Sequence, residues 1–447
     1  MSHSAQQRGL LARFAADETL APPPILQPDA DMGAEAAPES ATAPDAPATL
    51  DADRQAQARR YAHQQQWLSL AELALSAALI GVLLFSGLSF WLRDALAIGP
   101  AWRPFADWAP LQIGLYFLAL FIAAFVIGLP LSFYGGYVLS RRNGISTQSL
   151  GGWLGDEGKG LLLALVFELL AVEGLYALLV ASPRWWWLWA GAALLCLTTL
   201  LANLAPVLLL PIFYKLTPLP DGEVKSRALA LAAHAHLRVR GIYSMNMSAR
   251  TTAANAMVMG LGGTRRIVIG DTLLDHYMPD EIETVVAHEL GHQAHWDIPK
   301  LILTQSAIML GGLAIVQVIL TTTLGAVSEY RGLADPATMP LIAATLGVFG
   351  LVTLPLTNGF SRWVEHRADV YALETTRKAD AFISAMTRLA NQNLAEAYPP
   401  PIIEFLLYNH PSIGRRLAFG QAWAQRAHDD ASNDAAQAAL PERHSSR

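Results

Sequence analysis

In the stretch VVAHELGHQAH, His288 and His292 stand four residues apart, with Glu289 beside the first. On a helix of 3.6 residues per turn both imidazoles project from one face. That spacing suits one tetrahedral zinc ion with bonds near ~2 Å, and it leaves Glu289 placed to take a proton from an attacking water. The bare H-E-x-x-H pattern also turns up by chance on surface helices. Here the preceding IETVVA reads as the apolar face of a buried helix, and Gly291 permits close packing where a larger side chain would crowd a metal.

A catalytic zinc needs a third protein ligand and an open position. His295 is seven residues from His288, but it sits a further turn along and would need a bent helix to share the ion. The run SRWVEHRAD offers Glu365 instead, with Asp369 one helical turn later. A carboxylate ligand, with a second carboxylate orienting a ligating histidine, is the usual support of such a site. The bland alternative is a solvated, charge-rich helix face.

These residues need elements to hold them, and the composition says what kind. Of 447 residues, 53% are hydrophobic and 15% charged, and the mean hydropathy is +0.31. That excess of apolar residues calls for a lipid solvent. Six windows, 73–92, 110–139, 160–182, 185–210, 301–327 and 338–360, are long enough to cross a bilayer core of about 30 Å as helices. Only the third carries charges, Glu168 and Glu173, which point in different directions round their helix. Trp185, Trp186, Trp187 and Trp189 read as an aromatic belt at a membrane interface. The first apolar run follows a long polar segment, which fits a retained span and not a cleavable signal. With Cys196 as the only cysteine, no disulfide forms within the chain. The net charge of −6 excludes little in a membrane protein, and no feature calls for a nucleic-acid partner.

The chain therefore divides into an Ala/Pro-rich tail expected to be disordered (1–66), four spans in two hairpins (67–214), and a water-soluble stretch (215–299). Two more spans (300–360), a helix and loop with further site residues (361–420) and a polar tail (421–447) follow. The soluble stretch carries a helical run, GEVKSRALALAAHAHL, and three short β-like runs, GIYSMNM, NAMVMGL and RRIVIGD, the last two joined by a turn at 262–264. Pro279 and Asp280 open the helix of the histidine motif.

Four blocks, NAMVMGLGGTRRIVIGDTLL, HELGH, SRWVEHRAD and NHPSIGRR, together resemble the membrane-embedded zinc metallopeptidases of the type 1 CAAX prenyl protease family, over about 206–420. The resemblance implies one Zn2+ per chain on His288, His292 and Glu365, with Glu289 as base and Asp369 orienting a ligand. It implies that an edge strand pairs with substrate backbone at Asn255 and Ala256, that His410 stabilises the tetrahedral intermediate, and that Arg416 is a basic residue near the site. A donor such as an imidazole or an Asn amide is what a developing oxyanion requires. For His410 the plain alternative is a cap before Pro411, and for Asn255 a turn former.

The expected fold is a mainly α integral membrane protein with six or seven transmembrane helices and a gluzincin-like zinc protease domain holding a small antiparallel β-sheet. The expected function is an endopeptidase acting on a peptide or protein substrate, prenylated or not, at a lipid bilayer. A membrane-protein quality-control protease is the alternative in the same class, and a catalytically silent lipid- or partner-binding membrane protein the alternative outside it. An intact set of four site residues argues against the silent protein. A transporter would need internally repeated broken spans, and none is visible. Basic residues at 141, 142, 159 and through 215–266 place the zinc site and both termini on the cytoplasmic side.

Overall fold

The computed structural model describes residues 48–97 and 109–438. The first helix, α1 (Ala52–Phe85), ends at Ser86, and Gly87, at φ +77°, starts the short α2 (Leu88–Ala95). The 73–92 window is thus broken near its end, where only glycine turns left-handed without strain. Next come α3 (Pro110–Ser132), α4 (Leu150–Ala181) and α5 (Trp186–Leu204). α3 carries Pro130 and runs through a π turn at Phe133–Leu139, and α5 continues through another at Ala205–Leu209 that contains Pro206. Proline removes a backbone donor, and a π turn is one way a helix absorbs the loss.

The soluble part begins with β1 (Leu216–Pro218), α6 (Glu223–His234), β2 (Ile242–Met245), β3 (Ala256–Met259) and β4 (Arg266–Gly270). α7 (Asp271–His276) and α8 (Pro279–Ala294) follow, then the long α9 (Asp297–Ala326) and α10 (Met339–Thr376). α11 (Ala379–Gln392), α12 (Pro401–Leu407) and α13 (Ile413–Ala438) complete the described residues.

Six helices among the described residues are long and apolar enough to cross a membrane. Their apolar windows are between 6% and 28% buried within the protein, so most of their side chains face outward. Val126, Leu170, Leu200, Val318 and Val352 are among the exposed residues, an arrangement that water would penalise and hydrocarbon does not. α8 is not a seventh span, because its 16 residues are mostly buried among protein side chains. The aromatic belt holds only in part. Trp185 and Trp189 are exposed, but Trp186 is fully buried and its indole N–H donates to Gln317 Oε1 on α9.

The sheet has four strands in the order β1-β2-β4-β3 and is mixed, not antiparallel. β3 and β4 form the expected hairpin, Ala256 opposite Ile269 and Val258 opposite Ile267. The connection from β2 to β3 passes over so that β4 falls between them, which makes β2 and β4 parallel, Ile242 opposite Ile267. β1, absent from the expected strands, pairs antiparallel with β2 and blocks that edge. β3 is left as the other edge.

Three expected boundaries move. Residues 52–66 are helical, not part of a disordered tail, because Ala58 and Tyr61 bury completely against Leu139, Ile145 and Leu394. Gln55 then ties this end to the soluble part, donating to Ala395 O (3.1 Å) and accepting from Ala397 N–H (3.0 Å). The disorder expected of 1–47 lies outside the described residues. The tail expected at 421–447 is helical to Ala438 as the end of α13, and 439–447 lie outside the described residues. The sixth span and the helix carrying Glu365 are one continuous α10, with the turn delayed until Arg377 at φ +53°.

Two cores result. One unites α6, the sheet, α8, α11 and α13 around Ile267, Ile269, Leu290, Leu373 and Phe382. The other joins the spans around Tyr116, Tyr176, Trp186 and Val316. At the end of the spans far from α8, buried Arg93 pairs with buried Asp335 at 2.7 Å. Asp335 also accepts from the Arg331 and Ala337 N–H groups, which offsets the cost of desolvating the pair.

Candidate metal centre

The α8 N-terminus shows why the histidine helix starts where it does. Pro279 takes the first helical position, and the Glu281 carboxylate accepts the Met278 N–H at 2.8 Å, a reciprocal cap. Glu281 is itself buried and held by Arg388 Nε at 2.8 Å from α11, which locks the helix rotation. Gly291 lets α8 lie against α10. A Cβ there would stand 3.1 Å from Tyr371 Cδ1 and 3.3 Å from Ala368 Cα, so the crowding it relieves is between helices and not at the metal.

That close approach brings Glu365 to the two histidines. Glu365 Oε2 lies 3.1 Å from His288 Nε2, and Oε1 lies 3.4 Å from His292 Nε2. Two ligands of a tetrahedral zinc with ~2.0–2.1 Å bonds stand about 3.3 Å apart, so the spacing fits one ion. One ligand atom from each of the three residues lies within 4.8 Å of the others, the only such cluster among the described residues. His295 is not part of it. It caps the end of α8, with its ring packed on Tyr371 at 5.6 Å.

Each histidine is oriented by a carboxylate behind it. His288 Nδ1 lies 2.9 Å from Asp369 Oδ1, and Arg416 grips Asp369 with two bonds, Nε to Oδ2 at 3.0 Å and Nη2 to Oδ1 at 2.7 Å. All three side chains are buried, so neither competing water nor salt screening weakens these bonds. His292 Nδ1 lies 3.3 Å from Asp297 Oδ2, and Asp297 is fully buried. Asp297 was missed in the sequence. Its one signal is a charged residue at the start of the next helix, five residues past His292.

Burial alone would lower the His288 pKa, but Asp369 and Glu365 outweigh it and raise it to about 9. A site that holds a proton so firmly favours positive charge, which a metal cation supplies in the proton's place. Enclosure also pushes the Glu289 carboxyl up, against the pull of the two histidines. Glu289 further accepts a hydrogen bond from the Val258 backbone N–H, so the residue next to the ligands touches the edge strand.

Ala256 is the first residue of that strand and Asn255 directly precedes it. Asn255 O accepts from Gly270 N–H at 2.8 Å, which closes its carbonyl within the sheet. The alternation of antiparallel pairing therefore turns the backbone groups of Ala256 and Val258 to the open edge. Val258 O is occupied by Gln293 Nε2 at 3.3 Å, and Val258 N–H by Glu289. Asn393, unforeseen, clamps Ala254, two residues before the strand, accepting from Ala254 N–H at 2.9 Å and donating to Ala254 O at 3.0 Å. His410 closes the cluster from the other side, with Nε2 3.3 Å from Glu365 Oε1 and Nδ1 3.0 Å from Asn409 Oδ1.

A model of peptidase family M48 matches residues 218–424, and one described as CAAX prenyl protease N-terminal, five membrane helices, matches residues 37–215. Four candidate spans lie within that second match among the described residues. CAAX prenyl protease 1 of Saccharomyces cerevisiae is 30% identical over 314 residues, 65% of this chain and 68% of its own length. An uncharacterized metalloprotease of Bacillus subtilis, YhfN, is 28% identical over 363 residues, covering 80% of this chain and 84% of its own. The crystal structure of S. mikatae Ste24p superposes with a TM-score of 0.72 at 22% identity, over 93% of this chain and 96% of that one, and so shares the fold.

Fold and site together define an integral membrane metallopeptidase. The chain belongs to the type 1 CAAX prenyl protease family.

Proposed function

We propose that the chain is a zinc endopeptidase, with one Zn2+ held by His288, His292 and Glu365. The observation that carries this is the ligand spacing of 3.1 and 3.4 Å, which suits a tetrahedral ion of zinc's bond length. When bound, zinc supplies a Lewis acid that polarises the scissile carbonyl and acidifies water. Glu289 takes the proton of the attacking water and passes it to the leaving amine. The backbone N–H and C=O of Ala256 at the edge strand, with Asn255 beside it, hold the substrate backbone as an added strand. Asp369 and Arg416 keep the His288 ring in place. Metal analysis of the detergent-solubilised protein is expected to give about one zinc per chain, with chelation abolishing peptide cleavage and zinc restoring it. Cleavage that survives complete removal of metal would sink the proposal.

The substrate is proposed to be a prenylated C-terminal peptide, on the strength of the similarity to CAAX prenyl protease 1 of S. cerevisiae. Farnesylated and unmodified forms of one peptide then differ in cleavage rate, and equal rates argue for a general membrane peptidase.

His410 is proposed to donate to the oxyanion that develops during attack. Such a donor acts mainly in the transition state, so His410→Phe is expected to lower kcat by ~10²–10³-fold with little change in KM. An unchanged kcat would return His410 to a capping role.

The zinc site is proposed to face the cytoplasm. Six spans return the chain to its starting face, and the loops richer in Lys and Arg lie on the side of α8. Single cysteines at 20 and 430 in a Cys196→Ala background are both expected to resist an impermeant reagent in sealed cells. Labelling of one alone means an odd number of spans, and labelling of both reverses the orientation.

A further inference from the structure

α12 is folded inside out for a helix in water. Ile402, Phe405 and Leu407 are exposed by 60%, 52% and 49%, whereas Glu404 is buried. Ile402 and Glu404 are two residues apart and so about 200° apart round the helix. The inner side of the helix is therefore the polar one. There the Glu404 carboxylate accepts from the Ser412 N–H at 3.1 Å and pairs with Arg415 Nε at 3.0 Å.

The depth of α12 is fixed by its neighbour. α10 carries no charge from Met339 until Arg362, and about 20 helical residues cross a ~30 Å hydrocarbon core, so the core ends near Asn358. At that level α12 is tied down. Asn358 Nδ2 donates to Leu406 O at 2.8 Å, and Arg362 Nη1 donates to Glu404 O at 3.1 Å. The apolar face of α12 thus lies level with the end of a membrane span.

It also continues a lipid-facing stripe. Val348, Val352, Leu356 and Trp363 are exposed, and their spacing of four, four and seven residues puts them along one side of α10. Glu365, two residues from Trp363, points about 200° away toward the histidines. The stripe is therefore on the face of α10 turned from the metal centre. Arg362, which stacks over the Phe405 ring at 6.0 Å, joins the stripe to α12.

We propose that α12 lies in the membrane interface with Ile402 and Phe405 in lipid, and that this seating anchors the loop that carries His410. A helix of this kind lies in the plane of the bilayer boundary, its apolar face buried in the acyl region and its polar groups turned away. α12 ends at Leu407, three residues before His410, so movement of the helix is passed directly to the imidazole. The anchoring half of the proposal rests on the reading of His410 as an oxyanion donor. The seating half does not.

The seating is tested with a single nitroxide on the full-length protein in phospholipid vesicles, in a Cys196→Ala background, at Ile402→Cys or Phe405→Cys. Oxygen concentrates in lipid and a neutral nickel chelate stays in water, so their relaxing effects report the solvent at each label. Both positions are expected to match Val352→Cys on the lipid stripe and to show several-fold more oxygen relative to nickel than Asp429→Cys on the polar part of α13. A ratio like that at 429, or poor access to both reagents, would overturn the proposal.

The anchoring is tested by kinetics. The Ile402→Asp, Phe405→Asp double variant is expected to lose kcat with KM and metal content kept, and the milder Phe405→Ser serves if the double variant does not fold. Unchanged kcat in a bilayer overturns the anchoring, provided His410→Phe has itself lowered kcat. If His410→Phe leaves kcat intact, the oxyanion reading has failed instead.

Discussion

Glu289→Gln is expected to lower peptide turnover by ~10²–10⁴-fold while the metal stays bound in full. Glu289 is the residue next to His288 and so points about 100° away from it round α8, outside the three-residue ligand cluster. Its carboxyl is enclosed, with its pKa pushed up by burial, and the Val258 N–H is the backbone donor that steadies it. An amide of the same shape keeps that hydrogen bond through its own oxygen, so neither the helix nor the edge strand has cause to move. What the amide cannot do is accept a proton. Atomic absorption and a peptide assay on one preparation separate the two roles. Metal lost with activity would make Glu289 a ligand, and turnover within tenfold of the parent would mean that the proton goes elsewhere.

The residues that meet in the cluster were legible because their constraint is local. Two imidazoles four apart, or Glu365 and Asp369 four apart, are set by the pitch of a single helix. What escaped was set by turns and by distant partners. Asp297 is five residues from His292, a spacing that faces elsewhere on a straight helix. Trp296, at φ +56°, breaks the helix between them and swings Asp297 back to His292 Nδ1. Asn393 holds Ala254 across 139 residues of sequence, and no local pattern announces such a clamp. Gln293 is a similar case, since its reach to Val258 O depends on how α8 lies along β3.

The misplaced boundaries have one physical cause. Apolar composition reports where lipid begins and ends, whereas a helix continues as long as its backbone hydrogen bonds do. Thr357, Asn358 and Gly359 mark the edge of the hydrocarbon, yet α10 runs on through them to Thr376, and this rigid passage carries Glu365 from the membrane to the histidines. Residues 52–66 look too polar to fold, but two buried side chains and the Gln55 bonds suffice once the catalytic part is present to receive them. The mixed sheet follows the same logic: β2, β3 and β4 were each visible by themselves, whereas β1 and the order of the strands required the third dimension.

Glu365→Ala is expected to strip the metal, from about one zinc per chain to near none after dialysis, and to abolish turnover with it. His288 and His292 alone leave a catalytic zinc one protein ligand short, and no other carboxylate joins them within 4.8 Å among the described residues. A graded series tests the geometry more closely than the single loss. Asp369→Asn keeps all three ligands and removes only the charge behind His288, so it is expected to weaken zinc affinity or activity by ~10–100-fold. His366, beside Glu365 in sequence, packs its ring against Phe419 at 4.7 Å and points away from the histidines. His366→Ala is accordingly expected to leave zinc content unchanged. If the metal instead follows His366, the third ligand has been misassigned, and the helix rotation that places Glu365 3.1 Å from His288 is wrong with it.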